Sequence, residues 1–463
     1  MRKLLILLFI PFLFACNNGP QSGAILTGTI ENLETDFFQL GGPGGARDSI
    51  MVDEEGKFTF KLQDLTEPYA YYFISGEEFF RFYVAPGMNL DIILDQKSFI
   101  ESIAFKGKGS DINNYIANKT RVFGDRMDYE VYKKNTEDFQ TWAENDLVER
   151  QALLKETEKK NINNPYWIQE EGEILYTWAN NNSSYPSMHK YYAELEEFEV
   201  PEDFYNYKKE LDVNDAKYIG SAAFQSYIST YIREEVAIIS KDLRNENPDY
   251  KPAKILTLET ASKLLTEKKV LENFLFASVK GYMSYYDLDL IKDEIDFFYA
   301  NCENQEYINK FNIEYEEWKK LSKGMPGMNF KGEDLEGKMV HFSDFKGKYV
   351  YVDVWATWCG PCKYEIPFLK KLEKDYHGKN IVFISYSIDE DKDAWLKFVP
   401  ENELGGVQII GENAWESEMT THYKVRGVPT FMFFDTEGKI ISVNMTRPSN
   451  QKTRDSFDSY EDL

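Results

Sequence analysis

The run Tyr351-Val352-Asp353-Val354-Trp355-Ala356-Thr357-Trp358-Cys359-Gly360-Pro361-Cys362 constrains this chain more than any other stretch. An apolar, β-branched segment ends in a Cys-Gly-Pro-Cys turn, and Ile366, Leu369 and Leu372 then fall on one face at helical spacing. Strand, turn and helix therefore follow one another. A cysteine at the start of a helix meets the positive end of the backbone dipole and unpaired N–H groups, both of which favour thiolate over thiol. Cys359 is the expected nucleophile. Cys362, one helical turn inward, is placed to attack the mixed disulfide that Cys359 forms. Half of a zinc site is the alternative for Cys-x-x-Cys, but it needs two further ligands. The chain holds four cysteines and four histidines, and none of His189, His341, His377 or His422 makes a ligand-like pair with another, so no metal is expected.

At the start of the chain, Met1-Arg2-Lys3 is positive and Leu4 to Phe14 is an almost unbroken apolar run. That run is too short to span a membrane and has the size of a secretory signal core. Leu13-Phe14-Ala15-Cys16 resembles the bacterial lipobox. Residues 1–15 are thus expected to be a lipoprotein signal peptide, with Cys16 as the lipidated first residue; the alternative is an ordinary signal cleaved near Ala15. Residues 16–23 form a polar, turn-rich tether. The formal charge of −25 argues against a nucleic-acid partner and against a polybasic membrane patch, which leaves lipid as the anchor. Asn17 and Asn18 lack an acidic cluster resembling a surface-export signal. The expected location is the cell envelope, at the outer membrane and facing the periplasm. Beyond the signal the cysteines are Cys302, Cys359 and Cys362, too few for a disulfide-stapled scaffold.

Residues 24–109 read as β structure. Thr59-Phe60-Lys61-Leu62 alternates after the turn Asp53-Glu54-Glu55-Gly56, and Phe80 to Val84 leads through Pro86-Gly87 into Leu90 to Leu94. A small antiparallel β-sandwich is expected. Residues 110–323 switch to helical period, with stripes at Phe224, Tyr227, Ile228, Tyr231 and Ile232 and at Ile308, Phe311, Tyr315 and Trp318. Breaks are expected at Asn164-Pro165, Tyr185-Pro186, Val200-Pro201 and Asn247-Pro248, and Cys302 reads as a small core residue. Residues 324–463 open with turns at Glu336-Gly337-Lys338 and at Phe345 to Lys348 flanking a hairpin. The order β-α-β-α-β-α-β-β follows, fitting a mixed sheet with helices on both faces, and then a last helix within 450–460.

Trp-Ala-Thr-Trp-Cys-Gly-Pro-Cys at Trp355 to Cys362, with Gly427-Val428-Pro429-Thr430, resembles the two signatures of the thioredoxin fold. Within that fold, residues 324–463 resemble the membrane-tethered TlpA/ResA-type thiol–disulfide oxidoreductases. The layout Asp48-Ser49-Ile50, Gly56-Lys57-Phe58, Ala85-Pro86-Gly87 and Phe105-Lys106-Gly107 resembles an uncharacterised β domain that precedes thioredoxin modules in lipoproteins of Bacteroides-like bacteria. The resemblance implies an α/β thioredoxin domain with a redox-active Cys359–Cys362 disulfide and no other cofactor. It also implies that Pro429 is cis and faces Cys359, and that the Val428 backbone pairs with substrate. By the same resemblance, Trp358, Gly360 and Pro361 are expected to belong to the substrate-binding surface. Peroxiredoxins share the fold but place a Thr three residues before their cysteine, where this chain has Ala356.

Asp353, six residues before Cys359, matches the buried acid of thioredoxin. Its apolar neighbours make an ionised carboxylate costly there, so its pKa is expected to rise and a proton to pass between it and Cys362 through water. Glu365 matches a glutamate that ResA-like proteins carry beside the active site, on the same side of the helix as Cys362. Ser385 stands where thioredoxin has a lysine. The Gly-Pro dipeptide is that of thioredoxin, whose potential of about −270 mV lies at the reducing end of the range. The expected activity is reduction of protein disulfides, recharged by a membrane electron-donor thiol protein. The alternative is a binding or scaffold lipoprotein that uses the fold as a docking module.

Overall fold

The computed structural model describes residues 23–463 apart from 64, 77, 125–127, 159–163 and 247–252. The signal segment, Cys16 and the break at Asn247-Pro248 lie outside the described residues. The chain divides into two compact units, one of residues up to 211 with 220–227, the other of 212–219 with 228–463.

In the first unit, alternation of apolar and polar residues makes β1 (Ala24–Glu31), β2 (Phe37–Gly41), β3 (Arg47–Met51), β4 (Lys57–Leu62), β5 (Tyr69–Ser75), β6 (Glu78–Val84) and β7 (Asn89–Asp95). After the short helix α1 (Phe99–Ser102) comes β8 (Ala104–Lys108). The strands form two four-stranded sheets, ordered β4-β1-β7-β8 and β3-β2-β5-β6, whose inward side chains share one core. Phe38 stacks on Phe73 at 4.1 Å between ring centres and meets Phe58 of the other sheet edge-on at 4.9 Å. The pairing is not wholly antiparallel as expected. β1 and β7 run parallel, with Leu26 opposite Leu90. Between them the chain builds the whole of the second sheet and β4, which supplies the long crossover that a parallel pair requires. Gly28 permits the close seam, since a Cβ there would overlap Ile92 O.

The helices α2 (Ser110–Phe123), α3 (Thr136–Glu158) and α4 (Pro165–Tyr192) follow, and α5 (Ala222–Glu246) begins in this unit and continues into the next. Asn164 caps α4, with Pro165 in its first turn, where the missing N–H is no loss. The expected break at Tyr185-Pro186 does not occur, and α4 runs through Pro186. Tyr185 is fully buried, stacks on Phe139 at 4.0 Å and donates to Lys134 O at 2.8 Å, while His189 one turn on donates to Tyr132 O at 2.7 Å. Packing on both sides of the proline outweighs the helical bond it removes.

In the second unit α6 (Ile255–Leu264), α7 (Lys268–Met283), α8 (Lys292–Asn301) and α9 (Gln305–Lys319) bury stripe residues such as Phe311 and Trp318. Cys302 is buried at the C-terminal cap of α8, where burial pushes its thiol pKa up. Asp287, just before α8, accepts from Val443 N at 3.2 Å and so ties these helices to the sheet that follows.

That sheet contains β9 (Lys331–Glu333), β10 (Met339–His341), β11 (Tyr349–Trp355), β12 (Ile381–Ser387), β13 (Val407–Ile410), β14 (Thr430–Phe434) and β15 (Ile440–Met445). Their order is β10-β9-β13-β12-β11-β14-β15, with β11, β12 and β13 mutually parallel and the other pairs antiparallel. Helices α10 (Gly360–Asp375), α11 (Lys392–Glu401) and α12 (Glu418–His422) connect them in the expected order. The closing helix α13 (Gln451–Asp458) sinks Phe457 among Tyr351, Tyr376 and Phe433. Glu336-Gly337-Lys338 lies inside the β9–β10 hairpin rather than beside it. Asp334 Oδ1 closes that turn by accepting from Glu336 N and Lys338 N.

Candidate active site

The apolar run of β11 delivers the chain to the turn Ala356–Cys359, and α10 starts at Gly360 with Cys359 as its N-cap. Pro361 occupies the first turn, where its fixed φ is already helical and no donor is lost. Cys359 Sγ accepts from Cys362 N at 3.1 Å, and the two sulfurs are joined at 1.98 Å. The helix N-terminus therefore points at the sulfur expected to become the thiolate. The Val428–Pro429 peptide is cis, and Val428 O lies 3.6 Å from Cys359 Sγ, so the second signature meets the first. Trp358 is 56% exposed, Gly360 and Pro361 are open to solvent, and Val428 and Pro429 are half-buried. Trp358, Gly360, Pro361, Val428 and Pro429 thus line the accessible side of the disulfide.

On the inner side, Asp353 pairs in register with Ser385 of β12 and Phe431 of β14. Burial pushes its carboxyl up to about 8, and the negative charges of Glu373 and Glu365 add to the rise. It lines a cavity of about 20 Å³ together with Cys362, Ser385 and Glu373. Ser385 therefore stands beside the acid. Lys370 of α10 also lines that cavity, but its Nζ donates to Asn402 O at 2.5 Å. Glu365 is buried, and its carboxylate accepts from Ser449 N at 3.0 Å and Ser449 Oγ at 2.8 Å, with Arg447 at 4.0 Å. It anchors α10 to the loop after β15.

The Redoxin family model matches residues 321–460. The thiol-disulfide oxidoreductase ResA of Bacillus thuringiensis is 32% identical over 141 residues, which cover 30% of this chain and 78% of the relative. This chain belongs to the ResA-like thiol–disulfide oxidoreductases of the thioredoxin family. ResA of Bacillus subtilis is 29% identical over 123 residues, covering 27% of this chain and 67% of the relative. The thioredoxin domain of a thiol-disulfide oxidoreductase from Bacteroides vulgatus is a solved structure 28% identical to it, at a TM-score of 0.28, covering 30% of this chain and 97% of that one. This ResA-like enzyme carries its redox group in its own disulfide. Among the described residues no group of three or more His, Cys, Asp and Glu is arranged to hold a metal ion, and no helix is long and apolar enough to cross a membrane.

Three residues of the ResA-like site were not singled out from the sequence. Asp389 is buried after β12 and accepts from Thr357 N, Thr357 Oγ1 and Ser387 Oγ, pinning the turn that precedes Cys359. Trp415 sets its ring 6.2 Å from that of Trp358 and widens the aromatic rim. Glu373 enters the cavity behind Cys362. A signal for Glu373 was present, because Cys362, Ile366, Leu369 and Glu373 recur at three-and-four spacing on one stripe of α10.

Proposed function

We propose that the enzyme reduces disulfides in exported proteins through the Cys359–Cys362 dithiol. The observation that supports this most is the meeting of the helix-capping Cys359 Sγ with the Val428 carbonyl, beside the exposed Trp358, Gly360 and Pro361. In the first step the Cys359 thiolate attacks a substrate sulfur, the substrate S–S bond breaks, and the departing sulfur takes the electron pair as thiolate. In the second, Cys362 loses its proton toward Asp353 and attacks Cys359 Sγ. The mixed disulfide breaks, the second substrate sulfur leaves as thiolate, and the Cys359–Cys362 bond takes its place. Two electrons have passed from the dithiol to the substrate. A membrane thiol protein then restores the dithiol.

In this reading Cys16 is lipidated and holds the enzyme at the outer membrane, facing the periplasm. The two sheets and the helices before Gly324 act as a sandwich and a helical domain that space the redox module or select its substrates. Uptake of labelled palmitate by the Cys16→Ala chain contradicts the anchor. The activity itself is tested by insulin reduction with dithiothreitol as the electron source. The full chain is expected to precipitate the insulin B chain well above the dithiothreitol background, and Cys359→Ser is expected to return the rate to that background. Equal rates for the two proteins contradict the reading and leave a docking module in its place.

A further inference from the structure

We propose that Glu373 is the second carboxyl of a proton-exchange pair with Asp353, and that it carries the proton of the resolving step out to solvent through a water held by Gln408. The proposal rests on the dithiol reading above and adds a residue to it. The cavity behind Cys362 measures about 20 Å³, room for one water. Gln408 of β13 lines it and is 7% exposed. Its Nε2 donates to Gly405 O at 2.6 Å, while its buried Oε1 has no hydrogen-bond partner among the described residues. Trp355, also in the lining, buries an indole N–H with no such partner. Buried polar atoms left unpaired cost free energy, and a water donating to Gln408 Oε1 removes part of that cost. A water at this position would bridge Cys362, Asp353 and Glu373, which line the cavity with Gln408.

Glu373 reaches this cavity because the chain opposite carries Gly405 and Gly406. A Cβ at Gly405 would overlap Glu373 Oε2, and one at Gly406 would stand 2.9 Å from Glu373 Oε1. The groups lining the cavity with it are Asp353 of β11, Ser385 of β12, Gln408 of β13, and Cys362 and Lys370 of its own helix. Lys370 is the one cation among them, and its Nζ is turned to Asn402 O. Burial raises the Glu373 carboxyl to about 7, with Lys370 pulling it down, and Asp353 sits at about 8. A proton thus passes between two acids of similar strength, both titrating near neutrality.

In the resolving step the Cys362 thiol gives its proton, through the water, to the Asp353 carboxylate. The Cys362 thiolate attacks Cys359 Sγ, the bond between Cys359 and the substrate sulfur breaks, and its electron pair leaves on the substrate thiolate. The Asp353 carboxylic acid then hands the proton to the Glu373 carboxylate, which is half-exposed and releases it.

One equivalent of dithiobis(nitrobenzoate), added to the reduced full chain, separates the two steps. The first release of thionitrobenzoate follows attack by Cys359, and the second follows resolution by Cys362. Between pH 5 and 9, Glu373→Gln is expected to leave the first phase unchanged. It should slow the second about tenfold or more near pH 7 and remove one of its ionisations. Glu373→Asp should restore part of the rate. Gly405→Ala displaces the carboxylate without removing it, so it should move the pH profile in the same direction even if Glu373→Gln fails to fold. A second phase at the wild-type rate, or one slowed with its pH profile unmoved, overturns the role of Glu373. Absence of the first phase in the wild-type protein overturns the dithiol reading, and this proposal with it.

Discussion

Cys362→Ser is expected to stop the enzyme halfway. Cys359 still attacks, because its place at the N-terminus of α10 and beside Val428 does not depend on the second sulfur. The thiol that expels the bound substrate is gone, so turnover should fall to background and one equivalent of substrate should remain attached through Cys359. Non-reducing electrophoresis after mixing with a disulfide-bonded protein reads the result directly, as a heavier band that dithiothreitol collapses. The Cys359→Ser protein should give no such band. Trapping through Cys362 or Cys302 instead would reverse the assignment of the nucleophile. Cys302 is not expected to compete, since it is buried and burial holds it in the thiol form.

Asp353→Asn is expected to act on stability and catalysis in opposite senses. With the carboxyl near 8 in the folded protein and about 4 in the unfolded chain, the native state holds a proton that the unfolded state has released. Its contribution to stability is therefore complete below about pH 4 and is lost as pH rises through about 8. At about 1.4 kcal/mol per unit, the asparagine variant should be more stable than the wild type by about 3–5 kcal/mol at pH 8, with almost no difference near pH 4. Urea unfolding of both oxidised proteins across that range measures it. The same substitution removes the proton acceptor for Cys362 and should slow resolution by about a hundredfold. A stability difference that does not vary with pH would remove the buried acid from the account.

Most signals written in consecutive residues survived into the structure, and most of the losses depend on partners distant in the chain. Cys359 and Cys362 were legible because a strand, a turn and a helix start are written in consecutive residues; Pro429 was legible only through the resemblance of Gly427-Val428-Pro429-Thr430 to the second thioredoxin signature, and the structure adds the meeting of the two stretches at Val428. Asp353 was legible as a carboxylate in an apolar strand. Its neighbour Glu373 was passed over because the apolar face of α10 was read through Ile366, Leu369 and Leu372. The stripe from Cys362 to Glu373 also faces the cavity, and a glutamate there reads as surface until the glycines at 405 and 406 are brought opposite it. Asp389 lies in a loop, and nothing local announces that its carboxylate holds Thr357. Pro186 read as a helix end by backbone rules alone. Tyr185 and His189 show that packing against the helices and loops around it decides otherwise. The parallel pairing of β1 with β7 depends on the path of the chain between them, which alternation within each strand does not encode.

Counting thiols on both partners in a single turnover tests the central claim most directly. The reduced full chain is mixed with an equal amount of a disulfide-bonded protein, quenched with an alkylating reagent, and both partners are read by peptide mass. The account predicts that Cys359 and Cys362 become one disulfide-linked peptide and escape alkylation while Cys302 is unchanged, and that the substrate gains two alkylated cysteines. Cys359 and Cys362 remaining alkylatable, with the substrate disulfide intact, would contradict it.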